Sequence, residues 1–158
     1  MTAGVSPQAA TITAAAWPGT TPRLLRALSG TEDHASYVDG GGYQRIDDPD
    51  RLIDEVDRSG LLGRGGAAFP LAVKLRTVRD AGRRGGPTVV LANGEEGEPA
   101  SVKDKWLLRH RPHLVLDGVR LAAAMVGAER AYVYVSDPLA ADVLRTALGE
   151  CDFDVAIE

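Results

Sequence analysis

Thr88-Val89-Val90-Leu91-Ala92-Asn93-Gly94-Glu95-Glu96-Gly97-Glu98-Pro99 is the stretch from which the fold of this chain can be read. Its first five residues form a short unbroken apolar run between turn signals, the pattern of a strand buried on both faces of a parallel sheet. The acidic turn then leaves the carboxyl end of a strand, where open α/β sheets bind ligands. Glu95, Glu96 and Glu98 repel one another, and a turn selected only for shape would more naturally use Asp, Asn or Ser. Such carboxylates can accept hydrogen bonds from ribose hydroxyls, from a carboxamide or from the edge of a planar ring, and Asn93 can both donate and accept. Oxygen ligands also suit Mg²⁺ or Ca²⁺, but calcium-loop spacing is missing, so a nucleotide ranks well above a metal. A solvated acidic turn with no ligand is the plain alternative.

A second unusual loop lies upstream, Gly60-Leu61-Leu62-Gly63-Arg64-Gly65-Gly66-Ala67-Ala68-Phe69-Pro70. Its glycines permit close backbone approach and its N–H groups precede a helical segment, which suits a phosphate. The spacing G-x-G-G-x-x-F is neither the dinucleotide fingerprint nor the P-loop, so as a bare pattern it is weak. Lys74 lies just after the turn and could add positive charge near a phosphate. The bland readings are a solvated helix face for Lys74, a surface position for Arg64, and a core position rather than a ring-stacking one for Phe69.

The chain has 158 residues, 44% of them hydrophobic and 25% charged, with a net charge of −4. That is one domain's length with enough apolar residues for a core, and no basic excess of the kind that nucleic acid requires. Cys151 is the single cysteine. It excludes an intrachain disulfide and a cysteine-ligated zinc or iron–sulfur site within this chain, and its acidic neighbours argue against a reactive thiol. No apolar run approaches a membrane span, and no basic residue precedes the Ala-rich patch near the N-terminus. A cytoplasmic location is expected.

In order, residues 1 to about 22 read as a flexible arm, 22–28 as one or two helical turns, and 31–42 as a connecting loop anchored by Tyr43. The domain arrangement read from this is an arm and loop over 1–37 and one folded domain over 38–158. Asp48-Pro49 starts a helix over 49–59. A helix is expected over 67–81 with Pro70 in its first turn, then the strand at 88–92. Helices follow over 103–109 and 112–126, a strand over 131–135, a helix from Pro138 to near Gly149, and a strand over 153–157. The second half thus reads β-α-β-α-β, which means parallel strands with right-handed crossovers and an α/β fold. The last strand has no covering helix after it, so a truncated chain is expected. Lys103, Lys105, Arg109, His110, Arg111 and His113 form a basic cluster that could pair with the acidic turn or face a phosphate, the two histidines being read as capping or surface residues.

Three runs, SGLLGRGGAAFPLAVKL, VVLANGEEGEPASVKDKWLLRHRPHLVLDG and AYVYVSD, together resemble the NADH-binding flavoprotein subunit (the F-type subunit) of bacterial complex I, over roughly residues 38–150. The related diaphorase subunits of NAD-linked hydrogenases and formate dehydrogenases share the pattern. The resemblance implies a Rossmann-like three-layer domain with a mostly parallel sheet that binds FMN and NADH. It assigns Gly63, Arg64, Gly65, Gly66, Ala67, Phe69 and Lys74 to the nucleotide site, with Phe69 lining the NADH side. Asn93 and Glu95 would contact the flavin, Glu96 would belong to the same site, and Glu98 would help place the nicotinamide as the catalytic residue. Hydride would pass from NADH to FMN and electrons onward through iron–sulfur clusters to quinone or another acceptor. Implied partners are a 2Fe–2S subunit (E-like) and an iron–sulfur subunit (G-like), with the complex peripheral at the inner face of the cell membrane. The family's 4Fe–4S cluster would not be ligated by this chain. Glu95 replaces the family's usual Asp, Ala100 its Gly and Ala68 a common Gly, and the later glycine-glutamate motif, β-grasp-like domain and four-cysteine domain are missing from this sequence. The alternative is a non-catalytic nucleotide-binding or assembly module.

Overall fold

The computed structural model describes residues 18–19, 24, 30–63, 67–98 and 101–158. The expected arm, most of the short helix over 22–28, and Arg64, Gly65 and Gly66 lie outside the described residues.

Helix α1 spans His34–Asp39, α2 Pro49–Arg58, α3 Leu71–Arg83, α4 Lys103–His110, α5 Pro112–Val126 and α6 Pro138–Gly149. Strands are β1 Val89–Asn93, β2 Arg130–Tyr134 and β3 Ala156–Ile157. They form a parallel sheet in the order β1-β2-β3, with Val89 opposite Arg130 and Ala131 opposite Ile157. The α/β class and the parallel sheet are those read from the sequence. Asp48 and Asp137 cap α2 and α6 by accepting from the amides of Arg51 and Ala140, each cap contributing about 1 kcal/mol.

One face of the sheet carries the core. Val90, Ala92, Ala131 and Val133 pack there with Ile53 of α2, Ala72 and Leu75 of α3, and Val119, Ala123 and Val126 of α5. A second cluster joins Leu108 of α4, Leu116 of α5, and Ala140, Leu144 and Ala147 of α6 to Val133 and Ile157. The opposite face is open among the described residues: Val89 and Leu91 are 57% and 64% exposed, as is Tyr134 at 57%. Burial of β1 on both faces is therefore corrected. An unbroken apolar run reports what both faces can accept, and here helices cover only one of them.

Four boundaries also differ from expectation. Residues 31–42 hold α1 rather than only a loop, because Asp33 caps it by accepting from Ser36 N–H and Tyr37 plugs into α5, donating to Asp117 at 2.8 Å. Packing begins before residue 38, since Glu32 is buried in an ion pair with Arg111. Helix α3 starts at Leu71, with Pro70 as its N-cap and not within its first turn. Ala67–Phe69 is held out of it by a Gly63 N–H to Phe69 C=O bond of 2.8 Å, a Leu71 N–H to Leu61 C=O bond of 3.0 Å and a positive φ at Ala68. Strand β3 is two residues long where five were expected, although Glu158 extends its ladder by bonding Val133 and Ala131.

Candidate functional site

The end of α3 meets the start of β1: a cavity of about 660 Å³ is lined by Gly82, Arg83, Pro87, Thr88 and Val89 together with the end of α5 and the start of β2. From there α3 packs against α2 and α5, with Ala72 and Leu75 in the core cluster that also takes in Val90, Ala92 and Ala131. The described parts of the glycine turn, residues 60–63 and 67–70, lead into α3, and the acidic turn follows β1. No hydrogen bond or ion pair joins the two turns among the described residues.

Lys74 is exposed and makes no ion pair among the described residues, while Phe69 is 54% exposed and so is not a core residue. Pro70 gives α3 no side-chain cap, and since Leu71 N–H is taken by Leu61 C=O, the first-turn amides of Ala72 and Val73 are the ones without a cap among the described residues. Gly63 does otherwise than a cradle would: its N–H already donates to Phe69 C=O, so its part is to close the turn. Ala67 is exposed.

Three carboxylates that are nearly equivalent in sequence are sorted by the fold. Glu95 and Glu98 are exposed, as is Asn93, whose Oδ1 accepts from Glu95 N–H at 3.0 Å and leaves its NH₂ group to donate outward. Glu96 has a side chain only 2% exposed. It accepts from Ser101 Oγ at 2.6 Å and from the amides of Asp104 and Lys105 at 3.1 Å each, with Lys103 Nζ 3.7 Å away. Burial pushes the Glu96 pKa up, but the Ser101 hydroxyl, the two amides and the Lys103 charge outweigh it and hold the carboxyl at about 2. Its acceptors are thus filled from inside the protein, unlike those of its neighbours.

The turn is also tied to the next strand. Gly94 N–H donates to Tyr134 C=O at 2.8 Å, and a Cβ at Gly94 would stand 2.9 Å from Leu108 Cδ1 and 3.0 Å from that carbonyl oxygen. Of the basic cluster, Lys103 faces Glu96, Arg109 grips Asp137 with two bonds of 2.6 Å, and Arg111 pairs with Glu32. Arg109 and Asp137 hold each other ionised, the Asp137 carboxyl below and the guanidinium above its ordinary value.

A buried polar cluster went unread in the sequence. Asp117 accepts from Tyr37 Oη, Tyr43 N–H and Arg120, and His113, 1% exposed, lies 2.9 Å from Tyr43 Oη and 3.1 Å from Glu150 Oε2. The surface or capping reading of His113 is corrected, since Tyr43 and Glu150 supply partners for both ring nitrogens. Burial lowers the His113 pKa and raises that of Cys151, whose sulfur is 3.9 Å from His113 Nδ1. An Asp amid the apolar residues of α5 was the available signal. Among the described residues no group of three or more His, Cys, Asp and Glu is arranged to hold a metal ion, and no helix is long and apolar enough to cross a membrane.

The fold is thus that of an open parallel α/β domain, Rossmann-like in class, with an acidic turn leaving the carboxyl end of β1, where sheets of this kind bind ligands. Residues 56–157 match the family described as the Nuo51 FMN-binding domain. The chain belongs to that family. It is 37% identical over 122 residues to F-type subunit 2 of the NADH-quinone oxidoreductase of Rhizobium meliloti (strain 1021), and 36% identical over 121 residues to the F-type subunit of the NADH-quinone oxidoreductase of Aquifex aeolicus (strain VF5). Each alignment covers 72% of this chain and 28% of the relative, so the chain spans a little over a quarter of those proteins' length. An NAD⁺-reducing [NiFe]-hydrogenase in the H₂-reduced state superposes with a TM-score of 0.62 at 29% identity, over 82% of this chain and 24% of that one.

Proposed function

We propose that this chain forms the N-terminal FMN- and NADH-binding part of an NADH dehydrogenase flavoprotein subunit. What supports this reading is a helix start without a side-chain cap, just ahead of Lys74, and an acidic turn after β1 whose exposed groups are Asn93, Glu95 and Glu98. Family membership and the NADH-quinone oxidoreductase relatives support the same reading.

In this reading Lys74, Arg64 and the amides around Gly65, Gly66 and Ala67 neutralise the FMN phosphate, and Gly63 closes the turn that presents them. Asn93 and Glu95 orient the flavin edge, Glu98 accepts from the nicotinamide carboxamide, and Phe69 offers a ring face to the NADH side. FMN, when bound, supplies the chemistry of taking a hydride and releasing electrons one at a time. The chain's contribution is alignment: a nicotinamide misplaced by about 1 Å can lose roughly a hundredfold in rate. The partners in this reading would be subunits of 2Fe–2S (E-like) and iron–sulfur (G-like) type, whose clusters would supply the onward electron path in a multi-subunit NADH-oxidising complex at the inner face of the membrane. The hydrogenase likeness favours a second host, the diaphorase module of an NAD-linked hydrogenase.

Purified with FMN supplied, the protein carrying this sequence is expected to retain flavin and to reduce an artificial acceptor with NADH. A preparation that keeps no flavin and transfers no electrons would sink the proposal. Flavin binding without NADH oxidation would point instead to a non-catalytic nucleotide-binding module.

A further inference from the structure

We infer that Glu96 is a positioning residue, which sets Asn93 and Glu95 for the nucleotide by anchoring the acidic turn to the start of α4. The inference rests on the nucleotide reading of that turn. Helix α4 has no side-chain cap of its own, because Val102 stands at its N-cap. Glu96, seven residues ahead of the helix, fills that role by accepting from the amides of Asp104 and Lys105 and from Ser101 Oγ. A Ser or Asp at position 102 would cap the helix equally well. Using a residue of the turn couples the turn to the helix.

The anchor itself is fixed. Trp106 and Leu108 bury the middle of α4, and Arg109 clamps its far end to Asp137, the N-cap of α6. The turn is held again at Gly94, by its bond to Tyr134 C=O. Only Glu95 lies between these two attachments. Its amide donates to Asn93 Oδ1, and that bond sets which way the Asn93 NH₂ points. The direction of Glu95 and the orientation of the Asn93 amide therefore follow from the anchors at Gly94 and Glu96, while Glu96 itself has no exposed oxygen to offer a ligand.

The test compares wild type with Glu96→Gln, Ser101→Ala and Glu95→Gln by amide hydrogen exchange without ligand and by FMN titration. In Glu96→Gln the amides of Glu95, Asp104 and Lys105 are expected to exchange faster, and FMN affinity to fall about 10-fold. Ser101→Ala removes one donor and should move both readouts in the same direction by less, which keeps the test intact if Glu96→Gln does not fold. Glu95→Gln should weaken FMN while Asp104 and Lys105 keep their protection, the mark of direct contact. Wild-type protection at Glu95 in both Glu96→Gln and Ser101→Ala overturns the inference, as does loss of that protection with FMN affinity unchanged. If wild type binds no FMN, the nucleotide reading fails and with it the role of Glu96 toward FMN.

Discussion

Replacing Glu96 by Gln and lowering the pH probe the same carboxylate from two directions. Its folded pKa is about 2 against an ordinary value of 4.5, a depression worth about 3 kcal/mol as an upper bound. The sign follows from the depression. The contribution is fully present above the unfolded value and is lost as the pH falls from there through the folded value. At about pH 6 the whole amount applies, whereas near pH 3 the unfolded chain has already bound the proton and about 1 kcal/mol remains. Asp33, Asp50 and Asp137 also have lowered pKa values and weaken the fold in acid, but they are common to both proteins and cancel in the difference. Urea unfolding of wild type and Glu96→Gln at both pH values should therefore give a stability gap that narrows by about 2 kcal/mol on acidification. A gap that stays constant would mean that the charge of Glu96 is not held by Ser101 and the α4 amides, and the capping argument would fail.

Other perturbations follow from the same geometry. Asp117→Ala leaves Arg120 and the Tyr37 hydroxyl without their buried acceptor and should cost about 3 kcal/mol in chemical denaturation. Gly42→Ala would place a methyl group 2.1 Å from the Tyr37 ring, which is pinned to Asp117, so thermal unfolding is expected to shift down by several degrees, by about 2 kcal/mol or more. Lys74→Glu, at an exposed site without an ion pair among the described residues, should leave stability within about 0.5 kcal/mol while sharply weakening FMN in a fluorescence titration. Unchanged FMN affinity there would remove Lys74 from the site.

Much of the architecture was legible because it is local. Asp48-Pro49 and Asp137-Pro138 announced α2 and α6, and Pro112 with the periodic run to Val126 announced α5. The resemblance carried by three motifs in order led to the family to which residues 56–157 belong. Helix α1 went unread although Asp33 offered a local cap, because its polar sequence is fastened to the core by a bond from Tyr37 to Asp117, eighty residues away. Local pattern contains no term for such a partner.

The site divides along the same line. Sequence alone identified an acidic turn at the carboxyl end of a strand and a glycine turn ahead of a helix, because turn chemistry and apolar runs depend on neighbours in the chain. Spacing and composition could not rank Glu95, Glu96 and Glu98, which differ by one to three positions and not at all in chemistry, and only the resemblance implied separate roles for them. Only the tertiary structure turned Glu96 inward to the amides of α4 and left Glu95 and Glu98 in solvent. The physical reason is that a helix start brings unsatisfied N–H groups to a point in space, and which carboxylate reaches them depends on how strand, turn and helix pack together.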